Sequence, residues 1–170
     1  MIESHFSGEK IVSNSSEAFS LHEKSSFGEK KESKIEYSLV EALFLVYENK
    51  MIIRSGKNIL TPESFLKKLK KLDKKIETKL SVFSDLRKRG YVIKSALKFG
   101  AEFRVYDKGS RPGSEHARWI LYTVREHNTL NWHNFAAKNR IAHSTKKNLL
   151  IAIVDEEGDV SYYEISWLRP

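Results

Sequence analysis

Six histidines stand at positions 5, 22, 116, 127, 133 and 143, and the chain has no cysteine. Without cysteine there is no thiolate nucleophile, disulfide, thiolate zinc site or iron–sulfur ligation. The histidines form no His-Glu-x-x-His pair, and no carboxylates fall at EF-hand spacing, so no metal and no other cofactor is expected. No Gly-x-Ser-x-Gly elbow, P-loop or Gly-x-Gly-x-x-Gly turn occurs. What remains is proton transfer and charge stabilisation by His, Tyr, Lys and Arg. RNA cleavage suits that set because the substrate carries its own nucleophile. A ribose 2′-hydroxyl attacks the adjacent phosphorus once a base removes its proton. An acid protonates the departing 5′-oxygen, and a fixed cation offsets the added negative charge. His116 stands in a polar Gly/Pro loop, Tyr106 opens that loop, and Lys147 precedes a long apolar run. Spacing alone does not select these three. A surface His, a strand-end Tyr and a surface Lys fit the same pattern.

The elements that must position such groups follow from periodicity. Residues 1–34 are polar and serine-rich, with apolar patches at Ile11-Val12 and Phe19 to Leu21. They read as short strands or as a flexible tail. Ser38-Leu39-Val40-Glu41 is a capping box that starts a buried helix over 39–48. Thr61-Pro62 starts a second helix, with Phe65, Leu69 and Leu72 on its buried side. Its other faces carry Lys67, Lys68, Lys70, Lys71, Lys74 and Lys75, read as a solvated face with RNA contact as the alternative. Ile76, Leu80, Phe83 and Arg87 continue the helical stripe to Gly90.

Beyond Gly90 the pattern turns to strands at 91–93, 102–106 and 119–124. A polar loop fills 107–117, and a helix spans 131–144 with Trp132, Phe135 and Ala136 inward. Leu149–Val154 is apolar throughout, as in a strand buried on both faces. An acidic turn over 155–159 returns the chain as a hairpin strand over 160–167. The fold class expected is α+β or α/β. A small helix-rich N-terminal module (1–85) precedes a compact mixed-sheet α/β module (86–170).

Composition narrows the partners. Thirty Lys+Arg against twenty-two Asp+Glu give a net charge of +8, which favours a polyanion, nucleic acid first. Apolar residues make up 40%, enough for a folded core. No apolar run reaches the roughly 18 residues of a membrane span, and residues 1–10 lack a signal-peptide pattern. A cytoplasmic protein without a membrane partner is expected.

The text around the three candidate groups resembles the archaeal tRNA-splicing endonuclease family. The resemblance runs through Arg89 to Lys94, Leu97 to Tyr106, Glu115-His116, Arg140 to Lys147 and Leu149 to Tyr163, about half the chain. In the first half it is confined chiefly to Ser38 to Leu43. The resemblance implies a catalytic nuclease module at 86–170 that cuts precursor tRNA at bulge–helix–bulge junctions. It implies Tyr106 as general base, His116 as general acid and Lys147 as transition-state stabiliser, leaving a 2′,3′-cyclic phosphate and a 5′-hydroxyl without metal. An ordinary phenol is almost wholly protonated at neutral pH, so Tyr106 either has a cation beside it or orients the 2′-hydroxyl. The resemblance also implies two flat side chains that hold a flipped bulge base: Arg140 matches one, and the other lies near the C-terminus, where some members have Arg and this chain has Trp167, with a core strand aromatic as the other reading of Trp167. The turn Asp155, Glu156, Glu157, Asp159 matches a loop that enters a positive pocket on a neighbouring subunit; an ordinary solvated turn is the alternative. Pairing through the C-terminal strand and a homotetramer, or a heterotetramer with a structural subunit, are also implied.

Two other functions stay on the page. One is an RNA-binding subunit that cuts only with a partner. The other is a metal-dependent DNA nuclease, for which the Glu-x-Lys considered, Glu77-Thr78-Lys79, lies inside a helical stripe.

Overall fold

The computed structural model describes residues 1–8 and 10–170. Contacts divide the chain into Met1–Leu80 and Ser81–Pro170. Each unit is built on its own sheet, and the α+β class expected from the pattern holds.

The first unit has strands β1 (Ile2–Ser7), β2 (Lys10–Ser13), β3 (Glu29–Lys31), β4 (Lys34–Tyr37), β5 (Met51–Ser55) and β6 (Asn58–Leu60). Their order in the sheet is β3-β4-β2-β1-β5-β6, with β1 and β5 parallel and the other neighbours antiparallel. Helices α1 (Ser16–Ser25), α2 (Leu39–Tyr47) and α3 (Pro62–Leu72) accompany it. Ile11, Ile35, Leu43, Leu45, Ile53, Phe65 and Leu69 are fully buried.

Helix α2 begins where the sequence places it. Ser38 Oγ accepts from the Glu41 N–H, and the Glu41 carboxylate accepts from the Ser38 N–H. The same carboxylate takes the Gly28 N–H at 3.0 Å, so this buried acid ties the strand preceding α2 to the chain entering β3. Gly28 lies at φ +68, and a Cβ there would run into the Ile35 side chain.

Three expectations are corrected here. Phe19 to Leu21 lie in α1, not in a strand: Ser15 caps that helix by accepting from the Ala18 N–H. Only Ala18 of α1 is buried, so its serine-rich sequence carries little helical periodicity. Leu72 is 43% exposed, because α3 ends on it and the chain turns away at Asp73. The module is also richer in strand than expected, since the hairpin of β5 and β6 turns tightly at Gly56 and β6 has three residues.

Helix α4 (Ile76–Lys88) spans the division between the units. The second unit contains β7 (Val92–Ser95), β8 (Phe103–Tyr106), β9 (Trp119–Arg125), β10 (Asn148–Val154) and β11 (Val160–Ile165), with α5 (Trp132–Ser144) between β9 and β10. The order is β11-β10-β9-β8-β7. Only β9 and β10 are parallel, as the α5 crossover requires. One sheet face packs Ile120, Tyr122, Leu149 and Ile151 with Ala142 of α5. On the other, Phe103 meets Phe83 of α4, and Tyr162 donates to Asp85 at 2.7 Å. Leu149, Leu150, Ile151, Ala152 and Val154 of β10 are buried, as its continuous apolar run predicts.

The inward face expected for α5 is also corrected. Trp132 is 83% exposed, Ala136 is exposed and Phe135 half-buried. The helix touches the sheet core through Ala142 near its far end. Trp132 packs edge-on to Phe135 instead.

Removing the α2 cap tests how far local chemistry holds the first unit. Ser38→Ala is expected to lower stability by about 1 kcal/mol in urea unfolding.

Candidate active site

Three strand ends are joined by two main-chain hydrogen bonds. The Arg118 N–H donates to the Val105 carbonyl at 2.9 Å, and the Asn148 N–H donates to the Arg118 carbonyl at 3.0 Å. This line crosses the end of β8 and the starts of β9 and β10. Tyr106 follows Val105, His116 stands two residues before Arg118, and Lys147 directly precedes Asn148. Topology therefore brings all three to one end of the sheet, spanning about two strand spacings, or roughly 10 Å.

Alternation assigns the faces. Arg104 pairs with Ile120, and Ile120 with Leu149, so these residues share the face covered by α5. Tyr106, two residues after Arg104, and Lys147, two before Leu149, continue it. Tyr106 is 4% exposed and packed with Val92 and Ala117. His116 is exposed. Its loop is made of two turns: Ser110 N–H donates to the Asp107 carbonyl at 3.1 Å, and Glu115 N–H to the Arg111 carbonyl at 3.1 Å.

Lys147 is set by the end of α5. The Lys147 N–H reaches back to the Ala142 carbonyl at 2.9 Å, and the Lys146 N–H to the His143 carbonyl at 3.0 Å. This is a Schellman ending, whose left-handed position usually takes glycine. Here Lys146 occupies it at φ +55. The Lys147 ammonium donates to the Thr145 carbonyl at 3.0 Å. It is half-buried.

A carboxylate braces the same strand ends from the opposite face. Glu164 accepts from the Trp119 indole N–H and from the Asn148 amide at 3.0 Å. Arg118 lies over the Trp119 ring at 4.4 Å, between Asp107 (3.5 Å) and Glu164 (3.9 Å). Burial, and then Glu102, raises the Tyr122 phenol; burial, and then the hydrogen bond to Asp85, raises Tyr162.

Arg140 and Trp167 line one cavity of about 510 Å³ with Phe135, Ala136, Asn139 and His143. The His143 and Trp167 rings meet at 4.5 Å, edge to face. Trp167 is 56% exposed rather than seated in the core. Phe135, Asn139 and His143 carry no cavity motif in the sequence. Their spacing with Ala136 and Arg140, three or four apart, marks one helix face and was the available signal.

The acidic turn is not brought to this site. It follows the far end of β10, about 20 Å along the strand from Lys147. The turn closes on itself: Asp159 N–H donates to the Asp155 carboxylate at 2.8 Å, and Glu156 N–H to the Glu126 carboxylate at 3.0 Å. Glu77 and Lys79 lie in α4 and are engaged in ion pairs, Lys70–Glu77 at 2.8 Å and Lys79–Asp73 at 2.6 Å. Among the described residues no group of three His, Asp or Glu is placed to hold a metal ion. Among the described residues no helix is long and apolar enough to cross a membrane.

Residues 2–66 match the N-terminal domain of the tRNA intron endonucleases, and residues 76–162 match their catalytic C-terminal domain. The tRNA-splicing endonuclease of Thermococcus gammatolerans is 39% identical over 170 residues, 99% of each chain. That of Pyrococcus abyssi is 39% identical over 99% of this chain and 98% of its own. That of Methanothermobacter thermautotrophicus is 36% identical over 150 residues, 88% of this chain and 87% of its own. The chain belongs to the tRNA intron endonuclease family. The relationship covers the first half as well, where the motifs alone carried little.

The strain at Lys146 can be measured. Lys146→Gly is expected to raise stability by about 1 kcal/mol in denaturant unfolding, because glycine takes the left-handed conformation without a Cβ penalty.

Proposed function

We propose that the protein is an RNA endonuclease that excises introns from precursor tRNA at bulge–helix–bulge junctions by metal-independent transesterification. The observation that carries this reading is the shared strand end of Tyr106, His116 and Lys147 in a chain of this family. The names of its relatives, tRNA-splicing endonucleases, agree with it.

In this reading the 2′-hydroxyl attacks the adjacent phosphorus and the 5′-oxygen leaves. The products are a 2′,3′-cyclic phosphate and a 5′-hydroxyl. His116, exposed on its loop, can approach the leaving oxygen and give it a proton. The Lys147 ammonium can offset charge on the phosphoryl oxygens. Tyr106, in its packed seat, orients the 2′-hydroxyl or accepts its proton. Arg140 and Trp167 flank a cavity able to hold a splayed base, and such stacking is worth roughly 1–3 kcal/mol per base. Recognition is by helix shape, phosphates and unpaired bases.

Assembly belongs to the same proposal. β11 is an edge strand with Tyr163 56% exposed, a surface on which a second family subunit can pair. The acidic turn, remote from the catalytic end, is free to enter a basic pocket on a neighbour. A homotetramer and a heterotetramer with a structural subunit both satisfy these contacts. The enzyme would act in the cytoplasm, with no membrane partner.

The test is cleavage of labelled bulge–helix–bulge RNA in excess EDTA. The wild type is expected to cut within the bulges and leave cyclic phosphate ends. Folded His116→Ala is expected to be slower by about 10²–10⁴-fold. Loss of wild-type cutting on chelation would contradict the metal-free reading. Binding without cutting by both proteins would instead favour a subunit that needs a partner.

A further inference from the structure

The positive charge of the first unit is concentrated in one place. Residues 67–79 carry seven lysines against two acids, whereas the rest of residues 1–80 carries eight basic and ten acidic residues. Lys67, Lys68, Lys70, Lys71, Lys74 and Lys75 are all exposed, while Phe65 and Leu69 bury the opposite side of α3. The two acids of the stretch are already engaged, Glu77 by Lys70 and Asp73 by Lys79. Among the described residues, Lys67, Lys68, Lys71 and Lys74 have no carboxylate partner. Elsewhere in the unit cations sit beside acids, as in Lys10–Glu36, Lys31–Glu29, Lys50–Glu48 and Arg54–Glu3.

Lys67 and Lys71 are one turn apart, and Lys68 and Lys71 three residues apart. Like charges at these spacings destabilise a helix. The helix dipole favours cations in the last turn, which accounts for Lys70 and Lys71 but not for Lys67 and Lys68. A surface that served solubility alone would mix its signs. A single-sign face instead makes a field that draws in a polyanion. Lysine is a flexible point charge suited to phosphate, and the face offers no planar fork for reading bases.

We propose that the lysine face of α3 and residues 73–75 binds the phosphate backbone of the RNA substrate outside the cleaved junctions. This rests on the reading of the chain as a precursor-tRNA endonuclease. Binding here is independent of base sequence and adds affinity for the whole RNA.

The test compares the wild type with a variant carrying Lys67→Glu, Lys68→Glu, Lys71→Glu and Lys74→Glu, and with one carrying Arg at the same positions. The substrates are a full precursor tRNA and a minimal bulge–helix–bulge hairpin without the tRNA body. Dissociation constants are measured at several salt concentrations, with kcat, KM and sedimentation mass. If the Glu variant does not fold, the corresponding Gln variant replaces it. For the precursor, the Glu variant is expected to raise KM about tenfold or more with kcat unchanged, and to flatten the log–log salt slope by about 0.9 per lost phosphate contact. The hairpin is expected to be handled as by the wild type, and Arg to restore the precursor. Equal affinity and salt slope in wild type and Glu variant would overturn the proposal. So would a weakened variant whose sedimentation mass has fallen, since the face would then hold an acidic protein surface. A wild type that cuts neither RNA, yet binds the precursor through these lysines, would overturn the endonuclease reading and leave the lysine surface standing.

Discussion

The register between β9 and β10 is the constraint on which the second unit depends. Asn148 lies opposite Trp119, and every later pair through Val154 and Arg125 follows from it. A shift of one residue would move the whole apolar set of β10 to the other face. Because β10 is buried on both faces and lies between β9 and β11, the register is strongly specified. It sets Lys147 at the same sheet end as Tyr106, although the two are far apart in sequence. Parallel pairing also demands a crossover, and α5 supplies it while lining the cavity with Arg140.

Two local devices refine that placement. The Schellman ending of α5 turns the chain into β10 at Lys146, a residue type that the left-handed region disfavours. The strand ends are held from the other face by Glu164, through Trp119 and Asn148. The same geometry separates charges of opposite sign. The acidic turn lies at the opposite end of β10, so its carboxylates stand well away from Lys147.

The sequence was most legible where local chemistry and burial agree. The Ser38–Glu41 box, the Thr61-Pro62 start and the apolar run of β10 each name their element because the pattern states both its type and its end. Legibility failed where tertiary context decides. The polar residues of α1 show almost no periodicity, and β6 is three residues long. Trp132, which opens α5, looks like core but stands out in solvent, because a helix that meets its sheet near one end needs no apolar stripe along its length. Tyr106, His116 and Lys147 were named through family resemblance, since their spacing is uninformative; the cross-strand register shows how they reach one place. Phe135 reads as a core residue and Asn139 as a surface one, because a cavity on one helix face is visible only once Trp167 is folded against it.

The central claim is that Tyr106, His116 and Lys147 work as one catalytic unit, and a double-mutant cycle addresses it most directly. Single-turnover cleavage rates are measured for wild type, His116→Ala, Lys147→Ala and the double variant, all shown to be folded. Groups that serve one transition state are strongly non-additive. The account predicts a double variant about as slow as the slower single variant. Losses that multiply, or a single variant that cuts at the wild-type rate, would contradict it.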